Sequence, residues 1–240
     1  MFFPETSTHR ESLRMPPNDY STAWDHPATR RAWIQHMAMS VVSLVGWVVC
    51  WFGALFLIVA TPGWIGWLFF PVLLYAFFRA FLHLFYIPWP ARIQRILGQY
   101  PWQILPAVPR GLGKHPKARD DEMWFEFANP ENPEERIPLP FLSSMRTYWW
   151  MKRIGGPRTK PELKAQIEPL WFAGDPRFLA VVAAPSRGGS GPKRMHLLYQ
   201  RPARDRRFVP VDWNASPAAL ERARRAGARV PDPVSGTHPS

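Results

Sequence analysis

Tyr75, Arg79 and His83 recur at intervals of four inside an otherwise apolar run, "LLYAFFRAFLHLF" from Leu73 to Phe85. On a helix that spacing puts a phenol, a permanent cation and an imidazole on one face. Such a face could hold a lipid phosphate, a carboxylate ligand or a partner helix. Proton-relay and transport chemistry would need an acidic partner, and neither this run nor the apolar stretch before it contains Asp or Glu. A simpler role for Arg79 is also open. Its long stem can lie in lipid while the guanidinium reaches the headgroups.

Other chemistry is thinly represented. The seven histidines (9, 26, 36, 83, 115, 196 and 238) show no H-x-x-x-H or comparable ligand spacing, so no metal site is expected. Cys50 is the only cysteine, which excludes a disulfide within the chain and cysteine-based zinc ligation. "RGLGKH" and "GGSGPKR" lack the spacing of a phosphate loop and read as linkers. Asp120, Asp121, Glu122 and Glu126 cluster at the entry to a strand, where acidic residues form a solvated edge. No G-x-S-x-G elbow or identifiable Ser/His/Asp set is present. No cofactor is expected.

The elements that carry these residues are set by charge and hydropathy. The mean hydropathy of −0.22 averages over two unlike parts. From Ala32 to Phe78, 47 residues contain no Asp, Glu, Lys or Arg, and the net charge of +12 arises entirely from Arg79 onward. Residues 37–60 and 64–85 are each long enough, at ~1.5 Å per residue, to cross a ~30 Å hydrocarbon core. Thr61-Pro62-Gly63 supplies a tight reversal, and Pro88 and Pro90 are expected to stop the second helix. Residues 34–90 therefore read as a transmembrane hairpin. Arg30 and Arg31 precede it, Arg92 and Arg95 follow it, and the turn is uncharged, which orients both termini to the cytoplasm. Within the first span, Ser43, Gly46, Cys50 and Gly53 form a stripe of small residues suited to close helix packing. The stripe serves either the second helix of the same hairpin or a homo-oligomer or another membrane protein.

Residues 1–33 lack the basic start and apolar core of a signal peptide and read as a mostly disordered cytoplasmic lead-in. Residues 91–105 form an amphipathic segment. Ile93, Ile96, Leu97 and Tyr100 share one face and Arg92 and Arg95 another, a pattern expected to lie in the membrane surface against anionic headgroups. A Pro/Gly-rich linker, 106–118, leads to period-two alternation over 119–215. Up to seven short strands are expected there, including "EMWFEFA", "RIPLPFL", "MRTYWWMK", "MHLLYQR", "RFVPVDW" and a hairpin around Gly174-Asp175-Pro176-Arg177. "TKPELKAQIE" suggests a helical turn or two. Residues 216–240 read as a short polar helix, capped by Ser216 and stopped by Gly227, and a tail. Its arginines nearly encircle it, so it is expected to be solvated.

The expected fold class is thus an α+β membrane protein, a two-helix transmembrane hairpin followed by a small antiparallel β-rich cytoplasmic domain. Its expected location is the inner membrane. Its partners would be the bilayer and its anionic headgroups, with a homo-oligomer or another membrane protein as further partners. Nucleic acid ranks below lipid, because no nucleic-acid-binding motif accompanies the basic residues. The functional class is a non-enzymatic membrane-anchored binding or scaffold module. The alternatives are an accessory subunit of a larger complex, or an anchored enzyme with scattered catalytic residues.

Overall fold

The structure is a computed structural model describing residues 20–113, 115–116, 123–141, 147–156, 158–186 and 191–232. A single 3-10 turn (Ala23–Asp25) leads into α1 (Pro27–Ala60). The chain reverses at Thr61-Pro62 and returns as α2 (Gly63–Tyr86). Both helices are long and apolar enough to cross a membrane, and only 6% of the apolar window of each is buried within the protein. The charge-free run explains both, since it is dominated by apolar residues, its Ser40 and Thr61 hydroxyls bond back to helix carbonyls, and the helix breaks where Thr61 and Pro62 fall.

α2 ends at Tyr86, just ahead of Pro88 and Pro90 as expected, and a separate helix follows at once. Only Ile87 lies between the two, and Pro88 sits in the first turn of α3 (Pro88–Leu97). Proline suits that position because the missing N–H would have no helical acceptor there. Two three-residue strands follow, β1 (Gln103–Leu105) and β2 (Arg110–Leu112), within segments read from sequence as interfacial and linker. Then come β3 (Met123–Ala128), β4 (Arg136–Phe141), α4 (Tyr148–Ile154), α5 (Pro161–Ala165), β5 (Leu170–Asp175), β6 (Leu179–Pro185), β7 (Pro192–Tyr199) and α6 (Pro217–Arg225).

All strand pairs are antiparallel. They form one sheet in the order β1-β5-β6-β7 and a second in the order β2-β3-β4. The larger sheet is covered on both faces. One face (Trp171, Ala173, Val181, Ala183, Met195 and Leu197) meets α3 and α6 and the start of α1. The other (Phe172, Ala180, Val182, Ala184 and Leu198) meets Phe125, Phe127, Leu139 and Phe141 of the smaller sheet. Alternation along each strand divides these two sets, since successive side chains point to opposite faces. Gly174 makes the β5–β6 approach possible. Its φ is +140°, and a Cβ there would lie 2.4 Å from the Ala180 Cα.

Five expectations change. Residues 23–33 are not a loose lead-in, because Ala23, Thr29 and Ala32 are buried in the domain. The Trp102 indole donates to Thr29 Oγ1 at 2.8 Å, and the Trp33 indole to the Pro90 carbonyl at 2.8 Å. The apolar face of α3 is also taken. Ile93, Ile96 and Leu97 are at most 2% exposed and pack on the larger sheet, so that face is covered by protein rather than lipid. "MRTYWWMK" contributes a helix, α4, where a strand was expected, although residues 142–146 lie outside the described set. Aromatic residues favour strands locally, but here pairs four apart on one helix decide the matter. Arg153 lies 3.9 Å over Trp149 and Lys152 4.5 Å over Tyr148, while Trp150 and Ile154 are both buried. Finally, "RFVPVDW" is a loop, and α6 is not fully solvated. Ala223 is 1% exposed and joins the core beside Ala226 and Ala228, because alanines let an arginine-rich helix approach closely.

Candidate functional site

The stripe of Tyr75, Arg79 and His83 faces α1. Tyr75 meets Trp47 edge to face at 5.3 Å, the Arg79 guanidinium lies 5.4 Å from the same indole, and His83 Nε2 is 2.9 Å from Ser43 Oγ. The three residues thus form an intrachain polar and aromatic ladder. Arg79 Nε is buried without a hydrogen-bond partner among the described residues, and its main contact is the Trp47 π-face.

The small-residue stripe divides. Ser43 takes part in the ladder and Cys50 is half-buried, whereas Gly46 and Gly53 are exposed, with nothing within 4 Å of where a Cβ would stand. Beyond Thr29 and Ala32 at the domain end, the buried small residues of the two long helices are Ala54, Gly66 and Ala76, and a Cβ on Gly66 would come within 3.3 Å of the Ile58 carbonyl. Neither Gly46 nor Gly53 is needed for α1–α2 packing.

Arg92 and Arg95 project from the polar face of α3. Arg95 reaches toward Gly227 just beyond α6, with its Nη1 4.0 Å from where a Cβ would stand on that glycine. Arg92 lies on the side of Tyr199 and Arg204, where its charge is felt by both groups. There the loop after β7 forms an open hollow of about 640 Å³ whose lining includes Tyr199, Arg201, Arg204, Arg206 and Arg207. Arg204 is held between two aromatic rings, 4.1 Å from Tyr199 and 5.3 Å from Trp89. Burial lowers its pKa and raises that of Tyr199. The loop is fixed from behind by Arg229, which donates to the carbonyls of Asp205 and Phe208, while the Arg229 N–H donates to the Ala203 carbonyl at 2.8 Å. Asp205 Oδ1 accepts the Arg207 N–H at 3.0 Å and so closes the turn.

A second polar cluster joins three segments. Arg177, 1% exposed, donates Nη2 to Asp175 Oδ2 at 2.8 Å and Nη1 to Glu131 Oε2 at 2.7 Å. Glu131 also accepts from the Ser216 N–H and hydroxyl. Burial alone would depress the Arg177 guanidinium, but its bonds to Asp175 and Glu131 outweigh that and raise its pKa. Glu131 is held down at about 2 by the Arg177 bond and then the Ser216 bond. With both carboxylates bonded to the one guanidinium, this cluster ties the β3–β4 loop to the β5–β6 turn and the start of α6, a structural clamp. His196 is likewise structural. Burial, with His36 nearby, pushes it to about 3, and its ring stacks on Phe141 at 4.5 Å and 8°.

Sequence reasoning noted the arginines of "RPARDRR" but neither their concavity nor the stacking of Arg204 on Trp89, a residue over a hundred positions away. Among the described residues, no three His, Cys, Asp or Glu side chains converge as metal ligands. No protein family matches the chain, and no curated protein or solved structure is significantly similar to it.

Proposed function

We propose that the chain is an integral membrane protein of two spans, with both ends cytoplasmic, and that its β domain is a non-enzymatic binding module held at the inner membrane surface. The observation that carries this reading is the contrast in burial along α1. Thr29 and Ala32 lie in the domain core, whereas Val42, Val49, Phe52, Phe56 and Val59 further along are exposed. A water-soluble protein rarely leaves a continuous apolar surface of more than a few hundred Å² uncovered. At ~1.5 Å per residue, the 34 residues of α1 run ~51 Å, enough for a ~30 Å hydrocarbon core plus a segment anchored in the domain. Arg30, Arg31, Arg92 and Arg95 all lie at the domain end, and Thr61 to Gly63 carry no charge.

Reporter fusions test the topology. Fusions at residue 20 and after residue 232 should report cytoplasm, and one at Pro62 the opposite side. A chain released from membranes by alkaline carbonate, or a cytoplasmic signal from the Pro62 fusion, would overturn the reading.

A further inference from the structure

The cavity after β7 has the chemistry of a phosphate receptor. Arg201, Arg204, Arg206 and Arg207 line it, and Arg92 approaches from α3. Guanidinium groups recognise phosphate through paired N–H donors in a planar fork. Arg204 Nη1 is buried with no hydrogen-bond partner among the described residues, and two aromatic rings hold the group in place. The one carboxylate in the lining, Asp205, has an oxygen committed to the Arg207 backbone.

Position narrows the ligand. Gly191 lies against Ala28, with a Cβ there 2.7 Å from the Ala28 Cβ, and His196 lies close enough to His36 to feel its charge. α1 and β7 therefore run in the same direction, and the loop after Tyr199 lies on the side where α1 leaves the domain. Trp89, one wall of the Arg204 stack, is three residues beyond the end of α2. Beside the arginines, Phe208 is 38% and Val209 81% exposed, an apolar tip next to a basic hollow. Charge complementarity and an adjoining apolar edge together match a headgroup with its acyl chains.

Resting on the two-span reading, we propose that this cavity binds the phosphate of an anionic lipid headgroup in the membrane leaflet next to the domain. The full chain in detergent micelles, offered phosphatidylglycerol or phosphatidylcholine, should retain the anionic lipid selectively by native mass spectrometry. Arg207→Gln should weaken that retention about fivefold, the value of one arginine near an anionic surface, and Arg204→Gln by more. Arg225→Gln, on the exposed side of α6, should leave it unchanged. Melting temperatures check that the variants fold, and Arg207→Gln carries the test if the half-buried Arg204 variant does not. Equal retention of both lipids, retention unaffected by Arg207→Gln, or displacement of the lipid by millimolar inorganic phosphate would each overturn the proposal. Carbonate extraction separates the two failures. A chain that stays embedded without lipid preference overturns only this proposal, whereas a chain that is extracted overturns the two-span reading beneath it.

Discussion

Arg177 is almost wholly buried, and a buried guanidinium is tolerated only when its donors are matched. Asp175 supplies one match from the same turn, and Glu131 supplies the other from 46 residues away. The consequence is a dependence on acid. The folded pKa of Glu131, about 2, lies below its ordinary 4.5. Its contribution to stability is therefore full above about pH 4.5 and is lost as pH falls toward 2. Thermal melts at pH 7, 4 and 2.5 should show Glu131→Gln melting lower than wild type at pH 7, with the gap closing as the pH drops. A gap of constant size across that range would mean that Glu131 acts through packing rather than charge. Arg79 illustrates a different solution. Its cation meets the Trp47 ring of α1, so its position in an apolar helix depends on a neighbour that no local pattern reveals.

Helix α6 looks solvated from its sequence because three arginines fall in its last turn. Its packing rests on small residues instead, with Ala223 at 1% exposure against the core formed by α3 and the larger sheet. An alanine there allows close approach, and any charge would be buried without a partner. Ala223→Glu should cost several kcal/mol, on the order of what an unpaired buried charge costs. Arg225→Glu on the outer side should stay within about 0.5 kcal/mol. Urea titration of the two variants checks this, and similar midpoints would place α6 outside the cooperative unit. Helix α3 works in the same way, with Ile93, Ile96 and Leu97 each contributing about 1.5–3 kcal/mol by burial against the sheet.

The domain is not a continuous stretch of chain. Its core includes Ala23 and Ala32 before the hairpin, α3 and Trp102 after it, and α6 near the far end. A fragment of residues 119–215 lacks the cover for Trp171, Val181 and Leu197, and should aggregate or give a weak, non-cooperative melt. A protein joining residues 20–36 to 88–232 through a flexible linker should instead melt cooperatively with a mixed helix and sheet spectrum. Circular dichroism of both decides it. A cooperative melt of the short fragment would show that the helices are decoration rather than core. Because α1 and α3 belong to both parts, the long helices and the β domain are mechanically joined through the Trp33–Pro90 and Trp102–Thr29 bonds.

Amino-acid order alone determined the two long helices, their reversal at Thr61-Pro62 and the strands of β3 through β7, because each rests on a local signal. Those signals are an unbroken apolar run, a proline–glycine pair, or period-two alternation. It also located the candidate stripe of Tyr75, Arg79 and His83 and the arginines after β7, though not what either faces. Tertiary structure decided the rest, since those outcomes depend on partners distant in the chain. Trp47 and Ser43 turn the stripe inward, the larger sheet covers the apolar face of α3, and burial of Trp150 and Ile154 in the core beside Phe141 holds α4 in place. The arginine cavity is the clearest case. Its charges and its lining are adjacent in sequence, but the fixed position of Arg204 exists only where Trp89, over a hundred positions earlier, joins Tyr199 in stacking on it.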